Sequence, residues 1–206
     1  GEEWISIPSV TSSTELHPAM RSVEIVEALI RSLDEKDYRF AVANLAAGDI
    51  FGHIPDFQAQ VRSVEMIDQA VGIVADFCQR SGCCLILTAD HGLLEQAYLP
   101  DGSWSLGHTR ASVPFVLADP MLKGRQGALA SGGSLADVAP TILKLMGFDP
   151  PGIMTGRPLI KQYVGMVDRI VLLILDGFGQ GEENPRNNPI YAAETPNLDQ
   201  LFRLFP

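Results

Sequence analysis

The length, composition and charge of the chain narrow the kind of protein it can be. It has 206 residues, of which 46% are hydrophobic and 19% are charged, and its 15 basic and 25 acidic residues give a formal net charge of −10. This composition excludes intrinsic disorder and predicts a single domain, 1–206, with a well-formed core. The acidic balance argues against nucleic acid or an anionic membrane as the main partner, because both attract clustered Lys and Arg. An anionic substrate would need positive charge from another source, such as a metal ion.

Short apolar runs alternate with segments of helical periodicity along the chain. The runs are rich in β-branched residues and lack interior glycine, which predicts strands covered on both faces. Helices are predicted where apolar residues recur three and four apart, where Ser134 and Asp137 outline a capping box, and where Pro196 follows Thr195. In chain order, the predicted elements are a helix from Ser22 to Lys36, a strand from Arg39 to Leu45, a helix from Phe57 to Arg80, strands from Cys84 to Thr88 and from Val113 to Leu117, a helix from Ser134 to Met146, a strand from Ile170 to Leu175 and a helix that begins at Thr195-Pro196. This alternation predicts an α/β fold, a three-layer α/β/α sandwich around a mostly parallel central sheet.

The cysteines and the apparent lack of targeting signals favour an intracellular protein. Cys78, Cys83 and Cys84 lack the paired spacing of a zinc ribbon, and we expect them to be buried free thiols. No run approaches the roughly 20 apolar residues of a membrane-spanning helix, and the first residues lack the pattern of a signal peptide. No acceptor sequence for N-glycosylation occurs. We therefore expect a soluble, cytoplasmic protein.

Potential metal ligands follow or precede the predicted strands. In an open α/β sheet, ligands bind at the carboxyl ends of the strands. The candidate residues near these ends are Asp49, His53, Asp90, His91, His108 and Asp176. A single Asp after a strand is usually a turn or cap residue. Three of the 4 histidines together with three carboxylates at one edge are instead typical of a two-metal site, which needs mixed oxygen and nitrogen ligands.

The candidate ligands lie within longer motifs that together resemble a known family. These motifs are Gly48-Asp49-Ile-Phe-Gly-His53, Thr88-Ala-Asp90-His91-Gly92, His108-Thr-Arg-Ala-Ser-Val-Pro114-Phe115, Gly132-Gly-Ser-Leu-Ala-Asp-Val-Ala-Pro140-Thr to Met154-Thr-Gly156, Leu172-Leu-Ile-Leu-Asp176-Gly-Phe-Gly179 and Thr195-Pro-Asn-Leu-Asp199. As a set they resemble the cofactor-independent phosphoglycerate mutases of the alkaline-phosphatase superfamily. The resemblance covers almost the whole chain and implies an alkaline-phosphatase-like fold.

The resemblance also implies a set of ligands and an activity. By it, Asp49, His53 and His108 would hold one divalent metal ion, and Asp90, His91 and Asp176 would hold a second. Mn²⁺ is the usual ion in bacterial members, and Mg²⁺, Co²⁺ or Zn²⁺ serve in related enzymes. The implied activity is the glycolytic interconversion of 3-phosphoglycerate and 2-phosphoglycerate through a phosphoserine. The implied partner is this small phosphorylated substrate, bound by a monomer with neither nucleic acid nor membrane.

Two features of the chain depart from the family pattern. Residues 1–164 resemble the carboxyl-terminal part of the family and residues 166–206 its amino-terminal part, so the order is reversed. This predicts a circular permutation, or two pieces of one domain joined out of order. The family's nucleophilic serine and its arginine-rich second domain, which grips the phosphoglycerate, have no counterpart in residues 1–206. We therefore assign no catalytic residue and expect a phosphatase-domain portion that is inactive alone.

Two alternative functions stay open beside this one. The first is another enzyme of the superfamily, a phosphomonoesterase or a phosphopentomutase-like protein. The second is a non-catalytic metal-binding fragment. The glycines of 177–181 have the wrong spacing for a dinucleotide-binding loop, and no nucleophile-elbow motif is present. His17 and Arg110 are expected in solvated positions outside the site.

Overall fold

The computed structural model describes residues 1–8, 20–125, 127–161 and 166–206. Within these ranges the helices are α1 (Ser22–Glu35), α2 (Ala47–Gly52), α3 (Phe57–Ser81), α4 (Val138–Leu145), α5 (Pro189–Ala192) and α6 (Pro196–Leu204), and the strands are β1 (Phe40–Leu45), β2 (Cys84–Thr88), β3 (Phe115–Ala118) and β4 (Ile170–Leu175). Each predicted strand and helix is therefore present, with end points that differ by a few residues. His17 lies outside the described residues. Over the same ranges, no helix combines the length and apolar character needed to span a membrane.

In the described part of the chain, the four strands form one sheet in the order β1-β4-β2-β3. β4 pairs in parallel with β1 on one side and with β2 on the other, and β3 pairs antiparallel with β2. Leu45 lies opposite Leu175, and Thr88 lies opposite Ile174, so the three parallel strands end side by side. The predicted mostly parallel sheet is confirmed.

Helices cover the sheet on both faces, which confirms the three-layer arrangement. One core joins the sheet to α1, α3 and α6 through residues such as Leu33, Ile67 and Leu201. A second core joins the opposite face to α4 through Ile142 and Leu145. β4 is buried along nearly its whole length, which is why its sequence is an uninterrupted aliphatic run.

The predicted start of α6 is confirmed, but its cap comes from another helix. Thr195 makes no capping hydrogen bond to the helix backbone. The carboxylate of Asp68 in α3, only 2% exposed, accepts instead from the backbone N–H of Leu198 at 2.8 Å and from the side chain of Asn197 at 2.7 Å. A buried carboxylate at the positive end of the α6 dipole thus joins α3 to α6.

The predicted capping box precedes α4. Ser134 and Asp137 exchange the two capping hydrogen bonds, and the short 3₁₀ turn Leu135–Asp137 leads from Ser134 into the helix. The other carboxylate oxygen of Asp137 accepts from the backbone N–H of Arg157 at 2.7 Å. The N–H donors of Arg157 and Ser134 hold the pKa of Asp137 below its usual value, because they stabilise the charged form.

The three cysteines are free and buried, as predicted. A hydrogen bond with the thiol of Cys78 lowers the pKa of Cys83 to about 6, against the opposing effect of burial. Burial raises the pKa of Cys84, because an apolar environment disfavours the thiolate.

Candidate metal centre

The six predicted site residues lie at one edge of the sheet. Asp49, Asp176 and Asp90 follow the adjacent carboxyl ends of β1, β4 and β2. β3 is antiparallel to β2, so its first residue lies at this same edge, and His108 belongs to the loop that leads into it. The sheet topology therefore places side chains from four separate segments around one point.

The short helix α2, which the hydrophobic pattern did not predict, orients two of these residues. Asp49 and His53 are four residues apart and lie on the same face, with His53 Nε2 3.2 Å from Asp49 Oδ1. α2 packs directly on the turn after β4. A Cβ atom at Gly48 would collide with the backbone oxygen of Asp176, so glycine permits this close approach.

Asp49 Oδ1 is the centre of the first cluster. The Nε2 atoms of His108, His53 and His91 lie 3.1, 3.2 and 3.6 Å from it. The rings of His91 and His108 are stacked, with their centroids 3.6 Å apart. The potential ligand atoms of Asp49, His91 and His108 all lie within 4.8 Å of one another.

His91 also belongs to a second cluster, with Asp90 and Asp176. Its Nε2 atom lies 3.3 Å from Asp176 Oδ1 and 3.7 Å from Asp90 Oδ2, and the three groups again lie within 4.8 Å of one another. Burial raises the pKa of Asp176, and the charges of Asp90 and Asp49 raise it further. The side-chain amide of Asn44 acts in the opposite direction, because it donates to Asp176 Oδ2 at 2.9 Å.

The remaining ring nitrogen of two histidines bonds to the backbone. His53 Nδ1 lies 2.7 Å from the carbonyl oxygen of Leu106, and His91 Nδ1 lies 3.3 Å from that of Gly92. A carbonyl only accepts, so Nδ1 must carry the proton, and in the neutral ring Nε2 then has a free lone pair. Metal-binding histidines are commonly oriented by such a bond.

The environment of Asp49 fits a divalent cation. Its Oδ1 atom is buried and has no hydrogen-bond partner among the described residues, although three imidazole nitrogens surround it. When Nδ1 carries the proton in His53 and His91, the Nε2 lone pairs of both rings point toward the oxygen of Asp49. This close contact of lone pairs with a carboxylate is unfavourable unless a positive charge lies between the nitrogens and the oxygen. A cation with nitrogen and oxygen ligands relieves this conflict.

Beside the candidate ligands the site opens into a cavity of about 590 Å³, a volume typical of small-molecule sites. Asp90 and His91 form part of its wall, together with Ser112 and Ser134. Arg110 is exposed, as predicted. Sequence reasoning missed Asn44, although it is the one polar residue in the apolar run of β1 and this could have drawn notice.

A comparison with known protein families supports metal binding by this chain. A family model described as "Metalloenzyme superfamily" matches residues 1–150 and 168–204. The chain therefore belongs to the metalloenzyme superfamily.

Individual relatives are named as phosphoglycerate mutases. The 2,3-bisphosphoglycerate-independent phosphoglycerate mutase of Rhodopirellula baltica is 38% identical over 163 residues, which is 78% of this chain and 30% of the relative. The enzyme of the same name from Onchocerca volvulus is 36% identical, over 77% of this chain and 31% of the relative. A crystal structure of Leishmania mexicana phosphoglycerate mutase at low cobalt concentration matches with a TM-score of 0.65 and 27% identity, over 76% of this chain and 31% of the other. The predicted fold and family resemblance are thus confirmed, and the chain spans about 30% of the length of these relatives.

Proposed function

We propose that the chain is the metal-binding part of a phosphoglycerate mutase that interconverts 3-phosphoglycerate and 2-phosphoglycerate. The observation that carries the proposal is the buried, unpartnered Asp49 Oδ1 among three imidazole nitrogens, next to a second cluster of two carboxylates. The names of the relatives support the substrate. The cavity beside Asp90 and His91 has room for a small phosphorylated molecule.

In the proposed site, Asp49, His53 and His108 hold one divalent ion, and Asp90, His91 and Asp176 hold the other. Mn²⁺ is the ion we expect. When bound, such ions supply the positive charge that stabilises a transferring phosphoryl group and favours the alkoxide of an attacking hydroxyl. This would explain how a chain with a net charge of −10 handles an anionic substrate.

Neighbouring groups of this chain orient the side chains that are proposed to bind the metal ions. The backbone carbonyls of Leu106 and Gly92 keep Nδ1 of His53 and His91 protonated and so turn Nε2 of both rings toward Asp49. Asn44 fixes one oxygen of Asp176 and leaves the other directed to His91. His91 lies within reach of both clusters, so we expect its ring to move toward Asp90 and Asp176 when both ions are bound.

The proposed reaction passes through a phosphoserine, and the family pattern assigns that serine to no position in 1–206. We therefore expect the chain alone to bind metal without mutase turnover. The single domain, the reversed order of its two segments and the monomeric state stay predictions.

Metal binding can be tested by calorimetric titration of the metal-free 206-residue chain with MnCl₂. We expect two ions per chain, reduced binding in Asp49→Asn and His53→Ala, and no change in Asp149→Asn, whose side chain is 93% exposed. Absence of Mn²⁺ binding, or equal binding by all variants, would refute the metal centre.

Activity is tested separately with the purified chain and Mn²⁺. Turnover of 3-phosphoglycerate above that of His53→Ala would refute the expected inactivity of the isolated chain. Turnover of p-nitrophenyl phosphate or of a pentose phosphate, with none of 3-phosphoglycerate, would instead support another enzyme of the superfamily.

A further inference from the structure

Glu95 is a buried carboxylate that the proposed function does not use. It is 6% exposed and follows the turn of Asp90 and His91. Its Oε1 atom accepts a hydrogen bond from the hydroxyl of Thr109. Its Oε2 atom is buried and has no hydrogen-bond partner among the described residues. A buried charged group without full hydrogen bonding is costly, so packing alone does not account for a glutamate at this position.

Glycine backbones from two turns enclose this carboxylate. A Cβ atom at Gly92 would lie 2.8 Å from Glu95 Oε1, and one at Gly181 would lie 2.8 Å from Glu95 Cβ. A Cβ atom at Gly179 would collide with Glu95 Oε2 and would lie 2.9 Å from the Cα atom of Gly92. Glu95 therefore occupies space that a side chain at any of these three positions would fill, and its carboxylate lies against Gly92 and Gly179.

The groups around Glu95 are close neighbours of the proposed ligands in the chain. Gly92 follows His91, and Thr109 follows His108. The backbone N–H of Thr109 donates to the carbonyl of Gly92 at 2.8 Å, which joins the two segments directly. The third segment, after Asp176, is joined through the N–H of Leu94, which donates to the carbonyl of Gly177 at 3.0 Å.

We infer that Glu95 is a positioning residue, whose carboxylate fixes His108 through the Thr109 hydroxyl and packs between the segments of His91 and Asp176, against the backbones of Gly92 and Gly179. The inference rests on the proposed metal centre and deepens it. Glu95 is not assigned as a ligand, because its Oε1 atom already accepts from the Thr109 hydroxyl and its carboxylate is enclosed by the backbones of Gly92 and Gly179. Glu95 would act by fixing the distances between His91, His108 and Asp176, which belong to three separate segments of the chain.

The test is Mn²⁺ titration of the 206-residue chain in shape-conserving variants. Loss of a group that orients metal ligands typically weakens metal binding by about 10–100-fold, and we expect this from Glu95→Met, which has no acceptor for the Thr109 hydroxyl, and from Thr109→Val. Thr109→Ser keeps the hydroxyl and should restore binding close to that of the wild type. The double variant should lose little more than the weaker-binding single variant, because both changes break one contact. Among these variants, the EPR spectrum of bound Mn²⁺ should change in Glu95→Met, in Thr109→Val and in the double variant, and not in Thr109→Ser.

Asp68→Asn is the matched control, because Asp68 is a similarly buried carboxylate whose hydrogen bonds go to Asn197 and Leu198 at the start of α6. It should lower the melting temperature without changing Mn²⁺ affinity. If Glu95→Met does not fold, Thr109→Val and Thr109→Ser decide the question. Wild-type affinity and spectrum in Thr109→Val would overturn the inference and leave the metal centre intact. Failure of the wild type to bind Mn²⁺ would overturn both.

Discussion

Replacing Asp49 by asparagine should change the stability of the chain in opposite directions without and with metal. Without metal, Asp49 Oδ1 is buried and unpartnered, with imidazole nitrogens 3.1, 3.2 and 3.6 Å away. An amide can place N–H donors toward these lone pairs and removes the charge. An unsatisfied buried acceptor costs about 1–3 kcal/mol, so we expect the metal-free variant to gain about 1 kcal/mol. For a chain of this size that corresponds to a rise in Tm of about 2–4 °C.

With Mn²⁺ the order reverses. An ion present at 100 times its dissociation constant stabilises the folded chain by about 2.7 kcal/mol per site. This corresponds to a rise in Tm of about 5–10 °C in the wild type for each site. Asp49→Asn lacks the proposed anionic ligand of the first cluster. It should therefore lose at least the rise in Tm that comes from Mn²⁺ bound at that site.

The assay measures the Tm of the wild type and of Asp49→Asn by scanning calorimetry, once in EDTA and once in MnCl₂. Asp149→Asn removes an exposed carboxylate and should match the wild type in both conditions. A lower Tm for Asp49→Asn in EDTA would contradict the proposed lone-pair conflict. A full Mn²⁺ shift in this variant would contradict the role of Asp49 as a ligand.

Three further predictions concern residues around the site and the core. Asn44→Ala removes the amide that holds the carboxylate at the end of β4 and should weaken Mn²⁺ binding about 10-fold in a calorimetric titration. Asp68→Ala leaves the start of α6 without its acceptors and should lower the free energy of unfolding by about 2–4 kcal/mol in urea. Asp137 has a lowered pKa from the N–H groups of Arg157 and Ser134, so its contribution to stability is present above its unfolded-state pKa of about 4 and is lost as the pH falls through the folded-state value. The stability difference between the wild type and Asp137→Asn should therefore narrow in urea unfolding below about pH 4, and a constant difference from pH 7 to pH 3 would contradict this.

The sheet was predictable because its strands carry strong local signals. β4 is an uninterrupted aliphatic run, and β2 is buried at every position, so their composition alone identifies them. The helix α2 was not predictable in this way, because its six residues are too few for a periodic pattern. The capping of α6 by Asp68 was also beyond local reasoning, since the two partners are 129 and 130 residues apart.

The candidate ligands were predictable as a group, but their contacts were not. Strand ends fix which residues meet, whereas the position of His91 between two clusters depends on side-chain geometry that no spacing encodes. Glu95 had a detectable signal, since it is a charged residue directly after Leu93 and Leu94. Only the structure shows that it is buried among glycines of two turns.

The site depends on where strands lie in the sheet and not on their order in the chain. β4 is the last strand in sequence, yet it occupies the position between β1 and β2 and places Asp176 between the segments of Asp49 and Asp90. The antiparallel direction of β3 brings His108 to the same edge, because the beginning of that strand meets the ends of its neighbours. Any connection of the strands that preserves these positions and directions would bring the same six candidate ligands together. A reversed order of segments is therefore physically compatible with an intact metal centre.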